Sequence, residues 1–160
     1  MRVPSRVLAG AVTVALAALA ASALAQSPDP WIGTWKVNIA KSKYSPGPAP
    51  KSSTVTIVAA AGGFKQTNDT VPATGAPTHT EVTAILDGKD HPVTGNPNAD
   101  TSAYTKIDGH TYQVVAKKAG KVTITTRVVV SADGKTRTAT QSGTDAQGKA
   151  VSNTIVSEKQ

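Results

Sequence analysis

Apolar and polar residues alternate on a two-residue period just after the N-terminal apolar segment. One face carries both tryptophans of the chain, and its members are Trp31, Gly33, Trp35, Val37 and Ile39. Successive side chains of a β-strand point to opposite faces, so this period predicts a first strand that lays both tryptophans on a core.

Short runs rich in β-branched residues follow from Lys51 onward, and no helical period interrupts them. They are separated by turn signals at Gly62-Gly63, Asp87-Gly88, Asp108-Gly109, Ala119-Gly120, Asp133-Gly134 and Asp145 to Gly148. Asp-Gly pairs favour hairpin turns, so Asp87-Gly88 predicts one. The pattern predicts an all-β fold, an antiparallel up-and-down meander of about ten strands in a closed or flattened barrel. An open sandwich is the alternative, but closure removes exposed edge strands.

The segment after the first strand, Lys41 to Pro50, contains three prolines within five residues. Proline lacks a backbone donor and fixes φ, so an extended loop is predicted here and a helical lid is excluded.

The N-terminus has the three parts of a secretory signal. Arg2 and Arg6 precede the uncharged apolar run from Val7 to Ala21, and Ala23-Leu24-Ala25 fits a cleavage site. We therefore expect a signal helix outside the fold at 1–25, a cut after Ala25 and one domain at 26–160, located in the periplasm or secreted. A retained membrane anchor is the alternative reading of the apolar run.

Charge and cysteine content narrow the function classes. The formal charge is +7, and removal of the signal leaves fifteen basic against ten acidic residues. The lysines are scattered, which indicates solubility and gives no sign of a nucleic-acid interface. Cysteine is absent, so disulfides, thiolate metal sites and a lipidated cysteine anchor are excluded.

Gly33-Thr34-Trp35 at the start and Ser157-Glu158-Lys159 at the end resemble the calycins, the lipocalins and fatty-acid-binding proteins. A nearer resemblance is to small secreted bacterial proteins described as lipocalin-like. It rests on four stretches in order, Gly33 to Lys36, Ala40 to Pro48, Pro92 to Pro97 and Asp133 to Thr136. The resemblance implies a barrel with a lumen for a small ligand.

Two departures separate this chain from the fatty-acid-binding proteins. Those proteins insert two lid helices where this chain has its proline loop. They also grip the ligand carboxylate with an Arg-x-Tyr pair on the last strand, where this chain has Ile155 and Ser157. Neither residue can donate a charge-assisted hydrogen bond, so the resemblance does not carry fatty-acid binding with it.

A few side chains are candidates for the lumen. Trp31 and Trp35 are predicted to plug one end of the barrel as core residues. Tyr104 and Tyr112 have inward parity on a hairpin, so they are either core residues or donors of hydroxyls to a ligand. Arg137 shares its parity with Ala139 and Gln141, so it is either an inward anion-binding group or a solvated surface charge.

Metal and catalytic sites are not indicated. His79-x-Glu81 is the nearest approach to a metal-ligand pair and lacks a third ligand, so no metal or other cofactor is expected. No serine elbow, phosphate loop or dinucleotide motif occurs, which favours a binding protein over an enzyme. The predicted function is an exported, soluble barrel that binds a small apolar or amphipathic molecule in its lumen. The alternative is an envelope or stress protein with a filled barrel that acts through its outer surface.

Overall fold

A computed structural model describes residues 29–94 and 96–160, so the predicted signal segment lies outside the described residues. The described chain forms ten strands and one short 3-10 turn, Ile39–Lys41. The strands are β1 Gly33–Val37, β2 Ser52–Ala60, β3 Gly63–Val71, β4 Thr78–Ile85, β5 Asp87–Pro92, β6 Thr101–Lys106, β7 Thr111–Lys118, β8 Lys121–Val130, β9 Thr136–Thr144 and β10 Ala150–Lys159. No helix in the described part of the chain is long and apolar enough to cross a membrane.

The strands make one antiparallel sheet in the order β4-β3-β2-β1-β10-β9-β8-β7-β6-β5. Every neighbour is next in sequence except β1 and β10, which pair through Trp35 with Lys159 and Val37 with Ser157. The prediction of ten meandering strands is therefore confirmed. The sheet curls into a nearly closed barrel, with β4 and β5 as its two outer strands.

The predicted hairpin turn at Asp87-Gly88 is wrong. Both residues belong to β5, and β4 and β5 stand at opposite ends of the strand order. The Asp87 carboxylate accepts hydrogen bonds of 2.9 Å from the Lys89 backbone and from His91 Nε2. The pairing of β5 with β6 shifts register between Asp87 and Asp90, so these bonds support a bulge within the strand.

A cluster of large side chains fills the end of the barrel where the chain enters β1. It contains Trp31, Trp35, Ile57, Phe64, Tyr112, Val128 and Val130, all fully or almost fully buried. Three tilted or edge-on aromatic contacts, with centroids 5.3–5.9 Å apart, join Trp31 to Tyr112, Tyr112 to Phe64 and Phe64 to Tyr104. Such contacts add to the hydrophobic gain of burial, so this closed end is the main core of the domain.

Candidate functional site: a lumen with a buried arginine

The barrel encloses a cavity of about 700 Å³ between the closed end and the opposite rim. This volume is within the range of small-molecule pockets, roughly 300–1,000 Å³. The interior is not filled by side chains, so the filled barrel of the alternative hypothesis is wrong. A chain with so few large residues cannot occupy the space that ten strands enclose.

The two tryptophans predicted as a plug lie at the closed end and are both fully buried. The Trp35 indole Nε1 donates a hydrogen bond of 2.8 Å to the Trp31 carbonyl. The Nζ atoms of Lys106 and Lys159 lie 5.1 Å from the ring centroids of Trp31 and Trp35, respectively. These cation–π contacts stabilise the positions of the two buried indole rings.

Arg137 lines the cavity, and its side chain is 6% exposed. The inward parity with Ala139 and Gln141 therefore holds, and the surface reading is wrong. In the described residues the ion pairs involve surface lysines and histidines, and Arg137 belongs to none of them. A buried charge normally has an acidic partner, because leaving water without one is costly.

The two predicted tyrosines lie beside this arginine. Arg137 Nη2 donates to the Tyr112 hydroxyl at 2.9 Å, which leaves the tyrosine proton free for another acceptor. Burial, followed by the nearby Tyr112, raises the pKa of Tyr104 to about 12, although the Arg137 charge opposes the rise. Tyr104 therefore stays neutral at physiological pH and can donate a hydrogen bond into the lumen.

Three buried side-chain polar atoms at the closed end lack hydrogen-bond partners within the described residues. They are Trp31 Nε1, Arg137 Nε and the Oγ of Ser157, which stands directly opposite Arg137 in the ladder of β9 and β10. Burying a donor without an acceptor costs roughly 1–3 kcal/mol. Of these three residues Arg137 alone lines the cavity, and an acceptor that enters the lumen would offset the cost of its buried guanidinium.

Above the closed end the wall becomes apolar and then polar. A belt of mainly aliphatic side chains comes first, formed by Val37, Val55, Val82, Val114, Ala139 and Ile155. Hydroxyl and amide side chains follow toward the rim, formed by Ser53, Asn68, Thr70, Thr80, Gln141 and Asn153. Sequence reasoning had assigned no role to the amides, although their alternation with outward residues along β3 and β9 could have located them.

The rim is made by loops rather than by large side chains. Pro46, Pro50 and Pro97 line it, and the loop from β5 to β6 is fastened by Asn98. The Asn98 carbonyl accepts a bond of 2.7 Å from Thr123 Oγ1, and its Oδ1 accepts one of 2.9 Å from the Ala146 backbone. The proline segment forms no lid helix, as predicted, apart from the single 3-10 turn before it.

The histidines do not assemble a metal site. His79 pairs with Asp69 at 2.7 Å, while Glu81 pairs with Lys65 at 2.9 Å, and all four side chains are exposed. No group of three or more metal-ligating residues occurs in the described ranges.

Ten up-and-down antiparallel strands around an open lumen make this protein a nearly closed β-barrel. Among solved structures, the chain is similar to As-p18, an extracellular fatty acid binding protein. The TM-score is 0.51 and the identity 18%, with 83% of this chain and 98% of that chain covered. It is also similar to the zebrafish ileal bile acid-binding protein complexed with cholic acid (TM-score 0.49, 15% identity, 82% and 99% covered). A scan against protein-family models gave no match, and neither did a search of curated proteins.

Proposed function

We propose that this protein is an exported barrel that binds a small amphipathic molecule in its lumen. The apolar part of the ligand lies against the aliphatic belt, and an anionic group meets Arg137. The observation that carries the proposal is the Arg137 side chain, which is 6% exposed, faces the cavity and has no acidic partner among the described residues.

The surroundings of Arg137 support an anionic ligand group over a neutral one. A guanidinium presents several donors in a fixed fork that matches a carboxylate or a similar oxyanion. Nη2 is engaged by Tyr112, and the guanidinium of Arg137 has further N–H donors beside this one. An oxyanion that enters the lumen would accept from the guanidinium and compensate the buried charge.

Export of the protein is supported by residues 1–25, which have the pattern of a cleavable signal. A binding role is supported by the structural similarity to As-p18, an extracellular fatty acid binding protein. We therefore propose that the protein acts in the periplasm or outside the cell, as a carrier or scavenger of its ligand.

Displacement of the fluorescent anion anilinonaphthalene sulfonate tests the proposal. Arg137→Met should weaken binding of this probe about 10- to 100-fold, because a charge-assisted hydrogen bond contributes roughly 1.5–3 kcal/mol. Arg127→Met is the matched control, since Arg127 is an exposed arginine on β8, and it should leave the affinity within twofold.

Equal losses in the two variants would show that the probe responds to overall charge and would contradict the proposed site. Native mass spectrometry of protein purified from its own envelope should also detect a bound mass that is absent from Arg137→Met.

A further inference from the structure

The polar groups near the rim form two separate hydrogen-bonded networks on different walls of the lumen. On β3 and β4, Gln66 Nε2 donates to Asn68 Oδ1 at 2.9 Å, and Asn68 Nδ2 donates to Thr80 Oγ1 at 3.1 Å. On β9 and β10, Asn153 Nδ2 donates to Gln141 Oε1 at 2.9 Å. Internal bonds hold these amides in fixed orientations.

Each network leaves hydrogen-bonding capacity that its own members do not use. The bond from Asn153 occupies the oxygen of Gln141 and leaves the two protons of Gln141 Nε2 available. Asn68 retains one amide proton after its bond to Thr80. The rim of the lumen therefore offers oriented, uncharged donors, in contrast to the charged donor at the closed end.

Arg137 and Gln141 lie on the same inward face of β9, with Ala139 between them. Four residues of a strand span about 13 Å. The lumen thus presents a cationic site, an aliphatic belt and an uncharged donor site along one line. A ligand that fits all three would have polar groups at both ends.

We infer that the ligand carries an uncharged oxygen acceptor, a hydroxyl or carbonyl, at the end opposite its anionic group. The inference rests on the proposed function and specifies its ligand class as acids that also have a polar far end. A ligand with a plain alkyl tail would displace water from Gln141 and Asn68 without replacing its hydrogen bonds, and it would lose affinity for that reason.

A matched pair of ligands tests the inference. Decanoate and ω-hydroxydecanoate differ only in the terminal hydroxyl, and their dissociation constants can be measured by displacement of the same fluorescent anion. One added hydrogen bond should make the hydroxy acid bind about three- to tenfold tighter. Gln141→Met combined with Asn68→Leu should reduce this preference to less than twofold.

Thr140→Val combined with Thr67→Val is the control, because these residues lie on the outward faces of β9 and β3. It should retain the preference, and circular dichroism should show that both double variants are folded. Equal affinities for the two acids in the wild type would overturn the inference and leave the proposed function intact, provided that binding depends on Arg137. A preference that survives in the lumen variant would also overturn it. Failure of both acids to bind would contradict the proposed function together with the inference.

Discussion

The two ends of this barrel are built by opposite physical means. The closed end is a packed cluster of aromatic and aliphatic side chains around Trp31 and Trp35, whereas the rim is a ring of loops and amides. Side-chain packing stabilises the fold at the closed end, and hydrogen bonds fix the conformation of the loops and amides at the rim. The comparison teaches that different residues govern the stability of the fold and the access of the ligand. Arg137 is the exception, because it lies at the closed end and also lines the lumen.

The largest effect is expected at the plug. Trp35→Ala removes a fully buried side chain together with its indole hydrogen bond, and it should lower the free energy of unfolding by about 3–5 kcal/mol. Val122→Ala, at an exposed position near the rim, should change it by less than about 0.5 kcal/mol. Denaturant titration measures both, and similar values would contradict the division between the two ends.

Alkaline pH should destabilise the closed end through Tyr104. Its pKa is about 12 in the folded protein, whereas an unperturbed tyrosine has a pKa of about 10, so the unfolded state releases this proton first. Stability is therefore lost as the pH rises from 10 to 12, by about 2–3 kcal/mol for this group. The difference in stability between wild type and Tyr104→Phe, measured across this pH range, isolates the contribution. A constant difference would show that Tyr104 is not desolvated.

Arg137 should lower the stability of the free protein. Replacing an unpartnered buried charge with an apolar side chain of similar length removes a desolvation penalty. Arg137→Met should raise the free energy of unfolding by about 1–2 kcal/mol in ligand-free protein while it weakens anion binding. A loss of stability instead would indicate that Arg137 serves the core rather than a ligand.

The smallest effect on stability is expected at the rim. Asn98→Ala deletes the side-chain acceptor for the Ala146 backbone, at a cost of about 0.5–1.5 kcal/mol. Stopped-flow dilution should show faster ligand release, because the loop from β5 to β6 loses one of its fastenings. Asn98→Asp retains the acceptor oxygen and should release the ligand at the wild-type rate.

The strands were predictable from sequence where one face of the chain is apolar and the turn is closed by glycine. Gly62-Gly63 and Asp133-Gly134 mark real turns between paired strands. Asp87-Gly88 misled because the same dipeptide supports a bulge when its carboxylate accepts from within the strand. Local chemistry could not reveal that β4 and β5 do not pair, since their separation depends on how the whole sheet curls.

The site was predictable only in part. The alternation of side chains along the strands placed Tyr104, Tyr112 and Arg137 among the candidates for the lumen. It did not decide which face of β9, and therefore whether Arg137, points inward. The lack of a partner for Arg137 Nε depends on which side chains surround it in the folded barrel, and no local pattern encodes that. The amides of the rim were missed because polar residues in a strand are usually assigned to its outer face.

The pairing of β1 with β10 also has a consequence for how the chain acquires its fold. Most neighbours in the sheet are hairpins that can form soon after they are synthesised, but Asn38 meets Glu158 across 120 residues. Distant pairings are slow, because the entropy of closing a long loop must be overcome before contacts compensate for it. Strand β1, which carries Trp35, is therefore synthesised before the other described strands, but its partner β10 is synthesised last among them. The edge of β1 that pairs with β10 stays unpaired until synthesis of the described chain is almost finished.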